Sequence, residues 1–374
     1  MVVGRSAAEP LALPDPREAA GRVAGNRIYP RSLPPLMKLR KLGKTGVLVS
    51  ELCLGTMTFD WQVDARTSHQ LLDQFVGAGG NFLDTSNVYS SGKSEEIIGS
   101  WLAGRDRADI VVATKARFRT ADGANSVGLS RKHLLHAVRE SLRRLQTDYI
   151  DLLQVHAWDP LTPLEETFGT LHRLTEDGLI RYVGVSNYRA WQFEKALQLC
   201  RARGWHEPVS LQPQYSLYAR ATEFELLPMC LAESIAVLPW SPLAGGFLSG
   251  KYQDGVRSPP PGTRIADAKD VEFYAKRFEN DRTARIVKAV QEVAREVGKT
   301  PSQVALNWLL ARPGVTSPIV GVRTPDQLAE DLGATGWSLD ERATATLGTA
   351  SDLDVTYPYD RRAEEQQSSD RRLD

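Results

Sequence analysis

Tyr149-Ile150-Asp151-Leu152-Leu153-Gln154-Val155-His156 is a short, largely apolar run that ends on a histidine. Five further runs share its build: Asn81-Phe82-Leu83-Asp84, Ile110-Val111-Val112-Ala113-Thr114-Lys115, Tyr182-Val183-Gly184-Val185-Ser186-Asn187, Val209-Ser210-Leu211-Gln212 and Ile235-Ala236-Val237-Leu238-Pro239-Trp240. Each has the length and composition of a strand buried on both faces, as in a parallel sheet covered by helices. A segment of helical character follows every one of them. Such alternation, with useful polar residues collected at the strand ends, predicts an α/β fold of the TIM type: a (β/α)8 barrel with its chemistry at the C-terminal mouth.

The remaining sequence completes the count. Leu52-Cys53-Leu54-Gly55-Thr56-Met57 supplies a first barrel strand and Ser317-Pro318-Ile319-Val320 an eighth. Residues 38–50 read as two short strands joined by a Gly-rich turn, an N-terminal β-hairpin ahead of the barrel. Helices are expected over 65–77, 94–103, 130–145, 163–177, 190–203, 222–233 and 281–297, then from Pro301, from Pro325 to 332, and near 339–347 at the C-terminus. Ser94 is placed as an N-cap, with Glu95 and Glu96 favouring the helix dipole. Thr300-Pro301-Ser302-Gln303 combines a capping box with proline in the first turn. Residues 241–280, carrying Pro259-Pro260-Pro261-Gly262, are long for a connection and predict a functional loop over the site.

One barrel over 37–350 is therefore expected, followed by a polar tail over 351–374. Residues 1–36 are punctuated by proline without helical or strand period and read as a disordered extension, with Met37 as the start of the functional chain. Lys plus Arg and Asp plus Glu number 46 each, so no charge excess points to nucleic acid or an anionic membrane. No run approaches the roughly 20 apolar residues of a membrane span, and no long apolar segment marks a secretory signal. Three cysteines are a sparse, odd set that suits a reducing cytoplasm. A cytoplasmic enzyme with a small-molecule partner is the expectation; oligomeric state is not legible.

Competing motifs fail. No G-x-G-x-x-G follows a strand, which removes the Rossmann fingerprint. Gly245-Gly246-Phe247-Leu248-Ser249-Gly250-Lys251-Tyr252 approaches a phosphate-binding loop, but Tyr252 stands where the magnesium-binding hydroxyl must be. No H-E-x-x-H or Cys/His spacing predicts zinc, and His69, His133, His136, His172 and His206 read as packing or surface residues.

Four residues converge at the predicted mouth: Asp84, Tyr89, Lys115 and His156. A lysine ending a buried strand is costly unless a carboxylate pairs with it, and Asp84 ends the adjacent strand. Tyr89 follows on the loop that can lean over the pair. A phenol is a weak acid at neutral pH, and a neighbouring ammonium improves it by stabilising the phenolate. His156 can orient a carbonyl oxygen, so the set suits proton donation to a carbonyl whose carbon receives hydride. Lys115 alone also admits a second chemistry, a Schiff-base lyase, because barrel aldolases use strand-end lysines as well.

In these motifs the chain resembles the aldo-keto reductase family, in the branch related to potassium-channel β subunits and bacterial general aldo/keto reductases. Asn81-Phe82-Leu83-Asp84-Thr85-Ser86-Asn87-Val88-Tyr89 is similar to the family segment holding its Asp and proton-donating Tyr, Val111–Lys115 to its Lys strand and Leu152–His156 to its His strand. Gly55-Thr56-Met57, Gly184-Val185-Ser186-Asn187 and Gln212-Pro213-Gln214-Tyr215 are of family type. The resemblance implies NADPH as cofactor. It implies that Ser186, Asn187 and Gln212 hold the nicotinamide carboxamide, that Trp240 stacks on the ring, and that Gly55, Thr56, Met57 and Asp84 border it. Ser241-Pro242-Leu243-Ala244-Gly245-Gly246 would curl round the pyrophosphate. Lys251 and Arg264 would meet the adenosine-side phosphates, and Gly321, Arg323, Gln327, Glu330 and Asp331 belong to the adenine-end motif. Gln327 departs from the family, where many members place an arginine for the 2′-phosphate; Arg323, Lys251 or Arg264 can compensate, and NADH stays open. Trp61 and Trp158 are expected pocket walls beside Tyr89 and His156, with plain packing as the alternative. The activity implied is reduction of an aldehyde or ketone to an alcohol. A cofactor-binding regulatory subunit with slow turnover is the other class left open.

Overall fold

Two short strands, β1 (Leu39–Lys41) and β2 (Leu48–Ser50), pair antiparallel as the predicted hairpin. They open a computed structural model that describes residues 37–252, 257–261, 263, 265–266, 271–354 and 357–360. The expected disordered extension over 1–36 and the end of the polar tail, 361–374, lie outside the described residues.

The barrel strands are β3 (Cys53–Gly55), β4 (Phe82–Asp84), β5 (Val111–Ala116), β6 (Ile150–Val155), β7 (Ile180–Ser186), β8 (Pro208–Gln212), β9 (Ala236–Val237) and β10 (Ile319–Gly321). All pair parallel, in the order β10-β3-β4-β5-β6-β7-β8-β9. The ring closes where the Thr316 N–H donates to the Val237 carbonyl and the Ile319 N–H to the Pro239 carbonyl, both at 2.8 Å. The chain is thus a (β/α)8 barrel, as its alternating runs predict. Its helices are α1 (Ala65–Gly77), α2 (Lys93–Leu102), α3 (Arg131–Leu145), α4 (Leu164–Glu176), α5 (Ala190–Arg203), α6 (Leu226–Ala232), α7 (Val271–Phe278), α8 (Asp281–Val297), α9 (Pro301–Leu310), α10 (Pro325–Leu332) and α11 (Glu341–Ser351). None of the described helices is long and apolar enough to cross a membrane.

Three local expectations need correction. Ser94 does not cap α2, whose N-cap is Gly92 without a side-chain bond. The Ser94 hydroxyl turns inward to Thr56 Oγ1 at 2.8 Å and Thr85 Oγ1 at 2.9 Å. The helix expected over 222–233 is split into a 3-10 turn at Ala221–Glu223 and α6, because Pro228 fits only a first helical turn. The last helix is shifted to Glu341–Ser351, capped by the Asp340 carboxylate on the Ala343 N–H at 2.7 Å. By contrast Thr300 caps α9 with the reciprocal Gln303 bond that its sequence predicts.

The core has two parts. A large layer lies between strands and helices. A smaller one fills the barrel interior, where Leu42 and Val49 of the hairpin meet Cys53, Phe82, Leu152 and Val209. Gly43 in the hairpin turn approaches so closely that a Cβ there would lie 2.6 Å from the Val209 carbonyl and 3.0 Å from the Ala236 nitrogen. The hairpin therefore plugs the floor, at the N-terminal ends of β8 and β9, and the opposite mouth is left for chemistry. Cys53, Cys200 and Cys230 are free and buried, and Cys53, inside an apolar run, packs as a small core residue.

Candidate active site

Alternation along each strand decides what enters the barrel. Phe82, Val111 and Leu152 belong to the interior core. Counting by twos from them brings Asp84, Lys115, Gln154 and His156 to the same inner face, nearer the mouth. Lys115 is fully buried. Its ammonium donates to Asp84 Oδ1 at 2.5 Å, to the Thr85 carbonyl at 2.8 Å and to the Tyr89 hydroxyl at 3.3 Å. Burial alone would lower the Lys115 pKa, but the Asp84 carboxylate and the Tyr89 phenol outweigh it and hold the value above the ordinary lysine range. Lys115 is a locked cation.

Tyr89 is set by a strained turn. Ser90 and Ser91 take left-handed φ values of 47° and 55°, and the Ser90 hydroxyl anchors to the Phe59 carbonyl at 2.7 Å. Conformations of this kind cluster where geometry is over-determined. The Tyr89 and His156 rings meet edge to face, centroids 6.1 Å apart. Burial, then the Lys115 and Arg117 charges, push the His156 pKa down to about 2, so its imidazole is neutral at any working pH. Its Nδ1 faces the Ser86 hydroxyl at 3.2 Å.

The other oxygen of Asp84 is held as well: Oδ2 accepts from Gln154 Nε2 at 3.0 Å and from Gln212 Nε2 at 2.8 Å. Gln154, Ser86 and Ser94 were not singled out for the site by the sequence reading. The signal for Gln154 was available, since it stands two residues before His156 in an otherwise apolar strand. Phe118 was also missed; its ring lies 4.5 Å from that of His156.

A cavity of about 590 Å³ runs from this centre along the mouth. Its inner end is lined by Gly55, Thr56, Met57, Asp84, Tyr89 and His156, with Ser186, Asn187, Gln212 and Trp240 beside them. Asn187 is fixed in a left-handed conformation, φ 56°, and its Oδ1 accepts from the Trp240 indole at 3.1 Å. Ser241, Pro242, Leu243, Gly245 and Lys251 line the middle, and Gly321, Arg323, Gln327, Glu330 and Asp331 the far end. Gly245 and Gly246 have φ values of 70° and 97°. Such a run turns backbone N–H groups toward one side, a cradle for an anion. Lys251 lies over it, and a Cβ on Gly246 would fall 2.8 Å from its ammonium nitrogen. At the far end, burial and then Glu330 push the Asp331 carboxyl up to about 7 against the opposing pull of Lys251. The cavity thus offers hydrogen-bonding groups and an indole at one end, an anion cradle with Lys251 in the middle, and Arg323 beside Gln327 and two acidic residues beyond. An extended ligand with central phosphates fits that sequence of groups.

Of the residues expected here, Arg264 lies outside the described residues. Trp61 borders an adjoining recess with Met57, Val88 and Tyr89. Trp158 lines neither space; its ring packs on Tyr188 at 5.3 Å and Trp191 at 5.6 Å, which is the plain packing alternative.

Comparison with known proteins agrees with this geometry. The model of the aldo/keto reductase family matches residues 51–351. The uncharacterized oxidoreductase YrpG of Bacillus subtilis is 37% identical over 322 residues, 83% of this chain and 95% of its own. A probable voltage-gated potassium channel subunit beta of Oryza sativa is 36% identical over 302 residues, 80% of this chain and 91% of its own. Aryl-alcohol dehydrogenase (NADP(+)) of Phanerodontia chrysosporium is 32% identical over 335 residues, 84% of this chain and 86% of its own. Fold, strand-end chemistry and sequence together show that the chain belongs to the aldo/keto reductase family, and its relatives include oxidoreductases.

Proposed function

We propose that this protein reduces an aldehyde or ketone to an alcohol with NADPH, Tyr89 acting as the proton donor. The observation that carries the reading is the saturated ammonium of Lys115, bonded to Asp84, Thr85 and Tyr89. When bound, the reduced nicotinamide supplies the hydride that adds to the carbonyl carbon. Tyr89 Oη passes its proton to the carbonyl oxygen, and the adjacent Lys115 charge stabilises the phenolate left behind. Asp84 keeps Lys115 charged and aimed. We assign the Ser86 hydroxyl, 3.2 Å from Nδ1 of His156, as the donor of that contact, which leaves the ring proton on Nε2 to orient the substrate oxygen.

Ser186, Asn187 and Gln212 are assigned to the carboxamide end of the cofactor, Trp240 to stacking, and residues 241–246 with Lys251 to its phosphates. Arg323 and Lys251 supply the positive charge that favours NADPH over NADH despite Gln327, whose Oε1 accepts from the Arg323 N–H at 2.9 Å. The NADP named for the fungal dehydrogenase relative supports the same choice. A Schiff-base mechanism is disfavoured, because a nucleophilic lysine must be neutral whereas Lys115 is held protonated. The channel β-subunit relative keeps the regulatory reading as the second possibility.

NADPH oxidation by the purified protein with a reactive aromatic aldehyde tests the proposal. Tyr89→Phe should lose about 10²-fold or more in turnover, the scale of a positioned general acid. Near-normal rates in the variant would refute the assignment. Tight NADPH binding without turnover in the wild type would favour the regulatory reading.

A further inference from the structure

Sequence spacing gives His172 and His206 only a packing or surface role, and nothing in it links them to Glu176. In the fold they come together on the outer wall of the barrel, away from the mouth. His172 and Glu176 stand one turn apart on α4, at its C-terminal end, and therefore share a face. His206 arrives from the end of α5: Gly204 caps that helix in a left-handed conformation and the Trp205 N–H returns to the Cys200 carbonyl at 2.9 Å.

Packing holds the two segments in place. Gly169, one turn before His172, lets the Trp205 indole approach so closely that a Cβ there would lie 3.1 Å from it. The same indole stacks on the His172 ring at 21°, centroids 6.1 Å apart, and so limits its orientation. The two imidazoles lie 5.2 Å apart, and His206 Nε2 is 2.8 Å from Glu176 Oε1. One nitrogen or oxygen from each residue falls within 4.8 Å of the other two. Among the described residues this is the one group of three such side chains with that property. His172 Nδ1 is buried without a hydrogen-bond partner.

We propose that His172, Glu176 and His206 form a site for a divalent transition metal of the zinc class, stapling α4 to the end of α5. Two imidazoles and one carboxylate are a donor set that zinc accepts, leaving a fourth position to water. Ligand atoms of a tetrahedral zinc at bond lengths of about 2.0–2.1 Å lie roughly 3.3 Å apart. The exposed Glu176 and His206 side chains have the freedom to close the remaining distance, while stacking on Trp205 restrains His172. Calcium and magnesium, which prefer oxygen ligands, do not suit this set. The metal would serve stability, since α4 and α5 end on the side of the barrel opposite the catalytic strand ends.

Tag-free protein, stripped with chelator and titrated with Zn²⁺ by calorimetry, tests the proposal. One equivalent should bind, and His206→Ala and Glu176→Gln should each weaken binding by about tenfold or more, the order of effect expected for loss of one ligand or its support. Zn²⁺ should also raise the Tm of the wild type but not of His206→Ala. Since none of these residues belongs to the catalytic set, carbonyl reduction should persist in both variants. No binding, or binding unchanged in both variants, would overturn the site. Co²⁺ gives a second readout: tetrahedral visible absorption in the wild type and its loss in His172→Ala support the site, and its persistence there counts against it.

Discussion

The neutrality of His156 has consequences for both rate and stability. A histidine held at about 2 in the folded protein and near 6.5 when unfolded binds fewer protons in the native state. Folding stability therefore falls as pH drops below about 6.5, by roughly 1.4 kcal/mol per unit. Between pH 7.5 and pH 5, urea titration should show the wild type losing about 2 kcal/mol more than His156→Asn. Equal losses would mean that the imidazole already titrates in the folded state. The same neutrality predicts no inflection from His156 in the kcat/KM profile between pH 5 and 8. At this scale much of the site was legible: a polar residue ending each buried strand is costly unless used. What could not be read is how Asp84 is restrained. Its two glutamine partners, Gln154 and Gln212, are 70 and 128 residues away in the chain, and the bonds exist only once the barrel has closed.

The elements show where local sequence suffices and where it does not. The bounds of α1, α5, α8 and α10 follow the sequence because capping chemistry there is local: Asn280 accepts from the Thr283 N–H and Thr324 from the Gln327 N–H. Ser94 misled for the converse reason. Its hydroxyl had better partners in Thr56 and Thr85, neither of which is apparent from helix rules. The strand expected over 235–240 shortens to Ala236–Val237 partly because Pro239 has no N–H for a ladder. Gly99 of α2 is another position set by tertiary approach. A Cβ there would stand 2.2 Å from the Arg144 carbonyl of α3, so the helices would have to separate. That movement would strain the Arg144–Glu95 ion pair, 2.7 Å, and the Thr114 bond to Glu95, 2.6 Å, just behind Lys115. Gly99→Ala should cost roughly 1–3 kcal/mol, the usual penalty of overpacking, and lower the Tm by several degrees. An unchanged Tm would show that α2 can shift freely, and the contact would then not be a constraint.

The whole molecule divides its labour between two ends of one barrel. At the mouth, buried charge and left-handed turns are arranged for chemistry, and they cost stability. At the floor, the hairpin supplies Leu42 and Val49 to the interior core, both fully buried against strand starts. Burial holds the one thiol of that cluster, Cys53, in its neutral form, so the floor contributes through packing. Truncating Leu42 to alanine removes a fully buried side chain from the cluster it shares with Cys53, Phe82 and Ile319. The cost expected for such a cavity is about 2–5 kcal/mol. Because the catalytic residues hang from the opposite ends of the same strands, Leu42→Ala should leave kcat and KM for the folded fraction unchanged at 25 °C. Denaturant titration together with assays at a temperature below the new Tm separates the two effects. A tenfold change in kcat with little loss of stability would mean that the floor communicates with the mouth through the strands, and the division of labour would not hold.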